Sequence, residues 1–355
     1  MSEKTLASNK MPELNWLRGV SAILVVLYHF TTRYQDYFGI NPDWKANFPW
    51  GCAAVNVFFI LSGFLTALTL KDDMKVTDYI KKRFIRLYPA YWVCIIITSV
   101  AMLLLWAERY VGIKTILINF TMLQGVLPGV RTVDGVYWTL RYELQFYVYI
   151  AIILFIRKGK WLKHLAFLGT VLSGGLAIAE GIIGRITVIQ LGRLALLDSY
   201  GVSFFGGIFL CCLMKNSFKD IESFVGLALC VVQSYFLHTK PYFVAYLITV
   251  AFIIAVIVLN SQKKFDYKSK VSFADRTYLR WLSFVAKISF PLYLLHQNIG
   301  MAIIHNLGEI GWTNEFVILI AIVVSILLAW LVNRFVEEPI AKWFSSKKRA
   351  KKVEF

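Results

Sequence analysis

The chain has few charged residues, and fewest of all are acidic ones. Asp, Glu, Lys and Arg make up 17% of its 355 residues, whereas a typical soluble domain has about 25%. The balance is uneven, with 21 acidic side chains against 38 basic ones and a formal net charge of +17. A composition with so little charge argues against an ordinary soluble globular protein.

Cysteine pairs and metal-ligand patterns are also missing. The five cysteines form no CxxC pair and most lie in apolar runs, which argues against a disulfide framework or a zinc site. No HxxxH spacing supports a histidine-bound haem or metal, so no metal is predicted. The polar N-terminus is followed by no signal-peptide cleavage pattern.

Long apolar runs recur along the whole sequence. Hydrophobic residues make up 58% of the chain, and its mean hydropathy is +0.62. Runs of roughly 20 apolar residues are typical of membrane-spanning helices. We therefore expect an all-α integral membrane protein with about ten transmembrane helices, and a half-buried or re-entrant piece at 186–198. The predicted helices cover 16–37, 51–70, 88–108, 136–156, 165–184, 199–214, 220–237, 241–260, 283–305 and 315–336.

The basic residues lie mainly in short segments between the apolar runs, such as KDDMKVTDYIKKRFIR and RKGKWLK. If the N-terminus is inside, most of them fall on the cytoplasmic side, and this positive-inside pattern places both termini in the cytoplasm. Membrane lipid, not nucleic acid, is then the expected partner of the net charge. We expect a cytoplasmic segment at 1–15, one transmembrane domain at 16–340 and a basic cytoplasmic tail at 341–355.

Two ionisable residues lie in the first apolar run, LNWLRGVSAILVVLYHF. Arg18 and His29 are eleven residues apart, which is within about 20° of three helical turns, so they share a helix face about 16 Å apart. Ionisable groups inside spans are functional candidates by default. The pattern predicts an anion held by Arg18 at the cytoplasmic mouth and a base, His29, near mid-bilayer. A snorkelling anchor and a hydrogen-bonded core histidine stay open as alternatives.

Polar side chains also accompany the third and fourth predicted spans. Arg83 and Arg86 in KKRFIRLYPAYW are spaced i, i+3, so in a helix they project from one face, and arginine pairs suit phosphate. A plain positive-inside cluster is the alternative. Glu143 in YWTLRYELQFYVYI lies one to two turns inside the outer edge of its span, where it needs an Arg, a His or a substrate hydroxyl as partner. An ion pair between helices is the alternative there.

The ninth predicted span carries a third polar group in SFPLYLLHQ. Ser289 and Tyr293 are spaced i, i+4 and Tyr293 and His296 are spaced i, i+3, so the three line one helix face. Such a face suits substrate binding. Helix packing through hydrogen bonds between spans is the competing interpretation.

Six motifs, in this order, resemble the membrane-bound acyltransferase 3 family. They are the Arg-x10-His string LRGVSAILVVLYH, FFILSGFL, RFIRLYPAYW, YWTLRYELQFY, SFPLYLLHQ and FVEEP, and they span roughly residues 14–340. The fourth is similar to a Trp-x-Leu-x-x-Glu-x-x-Phe-Tyr pattern that begins at Trp138 and ends at Tyr147. The chain departs from the family at Asn15, where an acidic residue is common. We expect a stand-alone member without the esterase-like domain that many members carry after the last span.

The resemblance implies a ten-helix enzyme of the bacterial inner membrane. It would move an acyl group, usually acetyl, from cytoplasmic acyl-CoA to a hydroxyl of a cell-surface glycan or lipid-linked sugar. His29 would be the general base, with Glu143 orienting His29 or the acceptor. The CoA phosphates would be held by Arg18, Arg83 and Arg86. The residues implied in binding the acceptor or the reacting group are Trp138, Tyr147, Tyr293 and His296.

Two other classes of protein remain compatible with these residues. A transporter or flippase for a lipid-linked sugar would use the buried polar groups as a binding path, although the sequence shows no internal repeat. In a sensor or assembly protein the same groups would only hold helices together. Binding of CoA separates the enzyme from both alternatives.

Overall fold

The computed structural model describes residues 11–39, 44–71, 73–127, 129–156, 159–184, 186–262, 277–312 and 315–353. Within these ranges the chain is helical with short connections and has no β-strand, so the predicted all-α class is confirmed. The helices are α1 (Pro12–Tyr28), α2 (Tyr34–Phe38), α3 (Ala54–Thr69), α4 (Val76–Leu105), α5 (Ile113–Asn119), α6 (Trp138–Phe155), α7 (Leu162–Ile183), α8 (Thr187–Ala195), α9 (Gly201–Lys215), α10 (Ile221–Leu237), α11 (Lys240–Gln262), α12 (Thr277–Glu309), α13 (Phe316–Val332) and α14 (Glu338–Val353).

Several of these helices are fit to cross a membrane, so the chain is a multi-pass membrane protein. Among the described residues, six segments are long and apolar enough, and a seventh is added if α8 and the segment Asp198–Lys215, bent by 42°, count as one broken span. Each of the ten predicted segments coincides with a helix. Three of these ten helices are not among the seven. They are α10, which is short, and α6 and α12, which carry polar side chains of the site. The count of ten and the cytoplasmic termini remain predictions.

One predicted boundary was wrong. Helix α4 begins at Val76, not at 88, so the basic run with Arg83 and Arg86 belongs to the helix and not to a loop before it. Lys and Arg are good helix formers whose long stems reach water from inside a helix end. The segment expected to form the basic tail is helical as far as Val353, and its cytoplasmic location remains a prediction.

The helices that frame the site pack closely in two groups. Helix α12 contacts α1 on one side and α13 on the other, while α9 lies against α3. Glycine makes the second contact possible, because a Cβ on Gly63 would overlap the carbonyl oxygen of Phe204 and one on Gly207 that of Ile60. Small residues commonly allow such close helix contacts in membranes.

Proline interrupts α12 in the middle of its polar face. Pro291 has no N–H, so the carbonyl of Lys287 has no donor from its own helix. The amide of Asn333 donates to that carbonyl at 3.4 Å from the π-helical turn Asn333–Glu337 that follows α13. A neighbouring helix therefore replaces the missing bond and fixes α12 between Ser289 and Tyr293.

Candidate active site

An elongated cavity lies among α1, α3, α4, α6 and α12. Its empty volume, open mouth included, is about 760 Å³. It follows α3 from Val55 to Leu65, a length of about 15 Å along the helix axis. Besides Phe58, Phe59 and Ser62 of α3, it is lined by six of the nine site residues predicted from the sequence: Arg18, Arg83, Arg86, Glu143, Tyr147 and Tyr293.

One end of the cavity is lined by arginine. Arg83 donates to the hydroxyl of Thr66 at 3.0 Å, and its guanidinium lies 4.4 Å from the ring centre of Tyr147 and 5.0 Å from that of Tyr79. Hydrogen bonding and cation–π stacking fix this side chain in place. The contact of Arg83 with Thr66 and the two rings makes it part of the wall of the cavity.

Arg18 and Arg86 line the same end without such contacts. Neither guanidinium has a hydrogen-bond or ion-pair partner within the part of the chain that the structure describes. Two partly buried cations side by side are unfavourable unless an anion lies between them. Their donor geometry is the one that binds carboxylates and phosphates in pairs of hydrogen bonds.

In another cluster the basic residues do have acidic partners. Lys163 lies 3.0 Å from Asp220 and 3.0 Å from Glu222, and His164 lies 2.6 Å from Glu222. In that cluster each basic group has an acidic partner, and the contacts join α7 to α10. Arg18 and Arg86 in the cavity make no such ion pairs among the described residues.

The carboxylate of Glu143 has a hydrogen-bond partner in its own helix, α6. The hydroxyl of Tyr147 donates to its carboxylate, and the hydroxyl of Ser62 lies 3.4 Å from that of Tyr147. Glu143 therefore faces the cavity near its arginine end and does not contact His29. Tyr147, expected to bind the acceptor, lies beside Arg83.

His29 and His296 form a pair that neither sequence motif indicates alone. The Nε2 atom of His296 lies 3.0 Å from Nδ1 of His29, although the residues are 267 positions apart. His296 is completely buried. His29 is partly buried and is the first residue of a π-helical turn, His29–Arg33, that interrupts the helix between α1 and α2. Turns of this kind often occur at functional sites.

The surrounding carbonyls assign the protons of this pair. Nδ1 of His296 lies within 3.0 Å of the carbonyls of Leu292 and Tyr293, and Nδ1 of His29 lies 2.9 Å from that of Val25. Carbonyls only accept, so both Nδ1 atoms carry a hydrogen, and Nε2 of His296 accepts from His29. This leaves the lone pair on Nε2 of His29 without a hydrogen-bond partner among the described residues, as a general base requires.

The histidine pair lies just beyond the cavity lining. Tyr293 lines the cavity, and its ring centre is 5.8 Å from that of His296. Thr139 donates to the hydroxyl of Tyr293 at 3.0 Å and lines the cavity as well. The cavity therefore extends from Arg18 to Tyr293, and the path predicted from Arg18 to His29 remains a prediction because neither histidine is part of the lining. Trp138 does not line the cavity and instead lies against Tyr142 and Tyr200.

Sequence reasoning missed Asp134. Its fully buried carboxylate accepts from the backbone N–H of Val136 and that of Asn298, both at 3.1 Å. These bonds tie the start of α6 to α12 two residues after His296. Burial raises the pKa of the Asp134 carboxyl to about 7, although the two N–H groups lower it. The Asp-Gly pair indicates a turn, but nothing in the sequence points to the contact with Asn298.

The fold and the site define a class of helical membrane protein with arginines at one end of a mainly apolar cavity and a histidine pair beyond the other end. Here the class is narrower: the family described as the acyltransferase domain, acyltransferase 3, matches residues 11–334. The chain belongs to this family.

The names of similar proteins are consistent with membership in this family. The chain is 25% identical to a protein of Acidianus two-tailed virus named as an acetyltransferase, over 83% of this chain and 85% of that one. It is 24% identical to a protein of Staphylococcus aureus strain MSSA476 named as an O-acetyltransferase, over 94% of this chain but 57% of that one. The match to an acyltransferase of Streptomyces mycarofaciens is 28% identical over 39% of this chain and 38% of that one. No solved structure matches the chain.

Proposed function

We propose that the protein transfers an acyl group, acetyl in the simplest case, from cytoplasmic acyl-CoA to a hydroxyl of a cell-surface glycan or lipid-linked sugar. The observation that carries the proposal is the difference between the side chains at the two ends of one cavity. Arg18 and Arg86 lie at one end without a direct hydrogen bond or ion pair among the described residues, and a histidine with a free Nε2 lies next to the other end. The family and the names of relatives support acyl transfer.

The arginine end fits the phosphates of CoA. Arg18 and Arg86 are free to make charge-assisted hydrogen bonds, while Arg83 is already held by Thr66 and two rings. The narrow, mainly apolar cavity follows α3 from this end and suits a thin pantetheine arm. We place this end on the cytoplasmic side, with both termini, because Arg83 lies in the basic start of α4 and Lys215 donates to the carbonyl of Ala67, next to Thr66.

The chemistry at the other end needs one base. Nε2 of His29 takes the proton of an acceptor hydroxyl, and the oxygen attacks the thioester carbonyl. The carbon–sulfur bond then breaks, the acyl group stays on the oxygen, and the proton passes from His29 to the leaving thiolate. His296 accepts from Nδ1 of His29 and so keeps the lone pair on Nε2. We place the reaction in a bacterial inner membrane.

The test is acetyl-CoA turnover by the protein in phospholipid nanodiscs, with and without a crude glycan-lipid extract. We expect release of free CoA that depends on both the protein and the extract, and labelled acetyl in the lipid-linked or glycan fraction. Absence of both acetyl-CoA binding and CoA release would overturn the proposal in favour of a flippase.

A further inference from the structure

Five rings form a cluster at the end of the molecule opposite the arginines. We call Trp138, Tyr142, Tyr200, His238 and Tyr242 the outer aromatic cluster. Tyr200 is its centre, with ring centres 4.9 Å from Tyr142, 5.2 Å from Trp138 and 5.9 Å from His238, and His238 lies nearly parallel to Tyr242 at 5.9 Å.

The cluster is assembled from four parts of the fold. Trp138 and Tyr142 belong to the first turns of α6, and Tyr200 ends the short turn Asp198–Tyr200 before α9. His238 follows the last residue of α10, and Tyr242 lies in the first turn of α11. Four of the five lie at the N-terminal ends of helices and His238 lies at the C-terminal end of α10, and the ring contacts bring all five together at one end of the bundle.

Several polar atoms of the cluster lack partners. The hydroxyls of Tyr142 and Tyr200 and the indole N–H of Trp138 have no hydrogen-bond partner in the described parts of the chain, and none of the three atoms is sealed from solvent. Nδ1 of His238 is held by the hydroxyl of Ser234 at 3.1 Å, while its buried Nε2 has no partner there. A buried polar atom is normally hydrogen-bonded, so Nε2 of His238 calls for an explanation, while the other three atoms are accessible to a ligand.

The cluster is separated from the cavity by one side chain. Phe59 lines the cavity, and its ring centre lies 5.3 Å from that of Tyr200 and 6.3 Å from that of Tyr142. Trp138 directly precedes Thr139, whose hydroxyl bonds to Tyr293 beside the histidine pair. A group bound on these rings would therefore lie next to the reacting end.

We infer that the outer aromatic cluster binds a sugar ring of the acceptor. One face of a pyranose carries C–H groups that pack on aromatic rings, and its edge carries hydroxyls that pair with Tyr, Trp and His. Rings with an apolar body and a polar tip suit both. This assignment rests on the proposed function, because it gives that reaction its acceptor subsite.

An ordinary aromatic belt at the membrane interface would look different. Belt residues point outward to the headgroups, as Tyr235 of α10 does with 61% of its surface exposed. Trp138, Tyr142 and Tyr200 instead contact one another, and Tyr142 is buried. Tyr235 is thus a matched control from the same end of the molecule.

The experiment is saturation-transfer NMR in phospholipid nanodiscs free of glycoside detergents, with cellobiose and chitobiose as probes. Saturating the protein aromatic protons should give signal on the ring C–H protons of at least one disaccharide. Tyr200→Ala should weaken binding roughly tenfold, as expected for a lost aromatic contact, and Tyr235→Ala should leave it unchanged. Tyr200→Phe keeps the ring and should weaken binding only a few-fold, which keeps the test open if Tyr200→Ala does not fold.

No transfer to either disaccharide, or transfer unaffected by both Tyr200 variants, would overturn the inference. Acetyl-CoA binding is measured on the same nanodiscs. Acetyl-CoA binding without sugar binding would remove the acceptor subsite and keep the proposed function. Sugar binding without acetyl-CoA binding would remove the proposed function and leave a sugar site that fits a flippase.

Discussion

The two ends of the cavity differ in the side chains that are left without partners. At one end these are guanidiniums, Arg18 and Arg86, which attract a charged group. Beyond the other end they are a histidine nitrogen, hydroxyls and an indole N–H set among rings, which suit a neutral polyhydroxyl group. Two dissimilar ends joined by about 15 Å of narrow cavity fit two different substrates that meet.

A second comparison supports this interpretation. Both the cavity arginines and Lys163 belong to basic segments, so the positive-inside pattern covers both. Of these residues, Lys163 alone makes direct ion pairs among the described residues, with Asp220 and Glu222. A charge that only sets the orientation of a helix in the membrane has no need to face a cavity. The lack of direct partners for Arg18 and Arg86 therefore supports the proposal that they bind an anionic ligand.

The largest expected effect is on acetyl transfer, and it should leave acetyl-CoA binding at the other end of the cavity almost unchanged. His29→Ala should reduce acetyl transfer at least about 100-fold, the lower range for loss of a general base, and leave acetyl-CoA affinity within a few-fold. The measurements are labelled acetyl transfer and equilibrium acetyl-CoA binding. His305→Ala is the control, since His305 stacks on Phe38 and contacts no second histidine. Loss of acetyl-CoA binding in His29→Ala would contradict its role as the base.

The converse change affects the arginine end. Arg18→Ala and Arg86→Ala should each weaken acetyl-CoA binding about 10- to 100-fold, as for hydrogen bonds to a charged group, and raise KM more than they lower kcat. Arg86→Lys should restore part of the affinity. Lys163→Ala is the control, expected to lower the melting temperature and spare acetyl-CoA binding. If the arginine variants reduce only the amount of protein, they are topogenic anchors.

A smaller effect should be confined to the outer end. Asp134→Ala leaves the N–H groups of Val136 and Asn298 without their acceptor, at a cost of about 1–3 kcal/mol for each group. The melting temperature and the transfer rate should fall, because α12 is no longer tied beside His296. Acetyl-CoA affinity should stay within a few-fold of the wild-type value, and a loss as large as that in Arg86→Ala would show that the two ends are not independent.

The same carboxyl gives the stability a pH dependence. Its pKa is raised to about 7 in the folded protein, against about 4 in an unfolded chain. The folded state therefore binds the proton more tightly, and stability should fall as the pH rises from about 4 to about 7. Melting temperatures of wild type and Asp134→Asn across this range provide the test, and the variant should show the flatter profile. Parallel profiles would contradict it.

The smallest effect concerns the support of α12. Asn333→Ala removes the donor to the carbonyl of Lys287 and should cost about 1 kcal/mol. In a Pro291→Ala background the helix supplies its own donor, so the same change should cost less. Melting temperatures of the two single variants and the double variant measure this difference. Equal costs in both backgrounds would mean that Asn333 does not compensate for the proline.

The sequence by itself determined the helical class, the membrane setting and the family. Apolar runs need a helix and a lipid environment because each backbone N–H and C=O must be paired within its own segment. Helical spacing also pointed to Arg18, Arg83, Arg86 and Tyr293 of the cavity lining, since periodicity shows which side chains share a face. Glu143 was found as a lone carboxylate inside a span, and Tyr147 through the family resemblance. The start of α4 escaped prediction because basic residues near a membrane are equally compatible with a loop and with a helix end.

Only the tertiary structure decided which faces meet. The sequence placed His29 and His296 on separate helices. It gave no sign that Nε2 of His296 lies 3.0 Å from Nδ1 of His29 or that Asp134 accepts from the backbone N–H of Asn298. The outer aromatic cluster was equally hidden, because Tyr200 lies in the turn before α9, His238 follows α10 and Tyr242 lies in the first turn of α11, with no shared motif. Periodicity fixes the direction of a side chain around its own helix. Its partner depends on how the helices pack, and side-chain volume and close glycine contacts across the whole bundle set that packing.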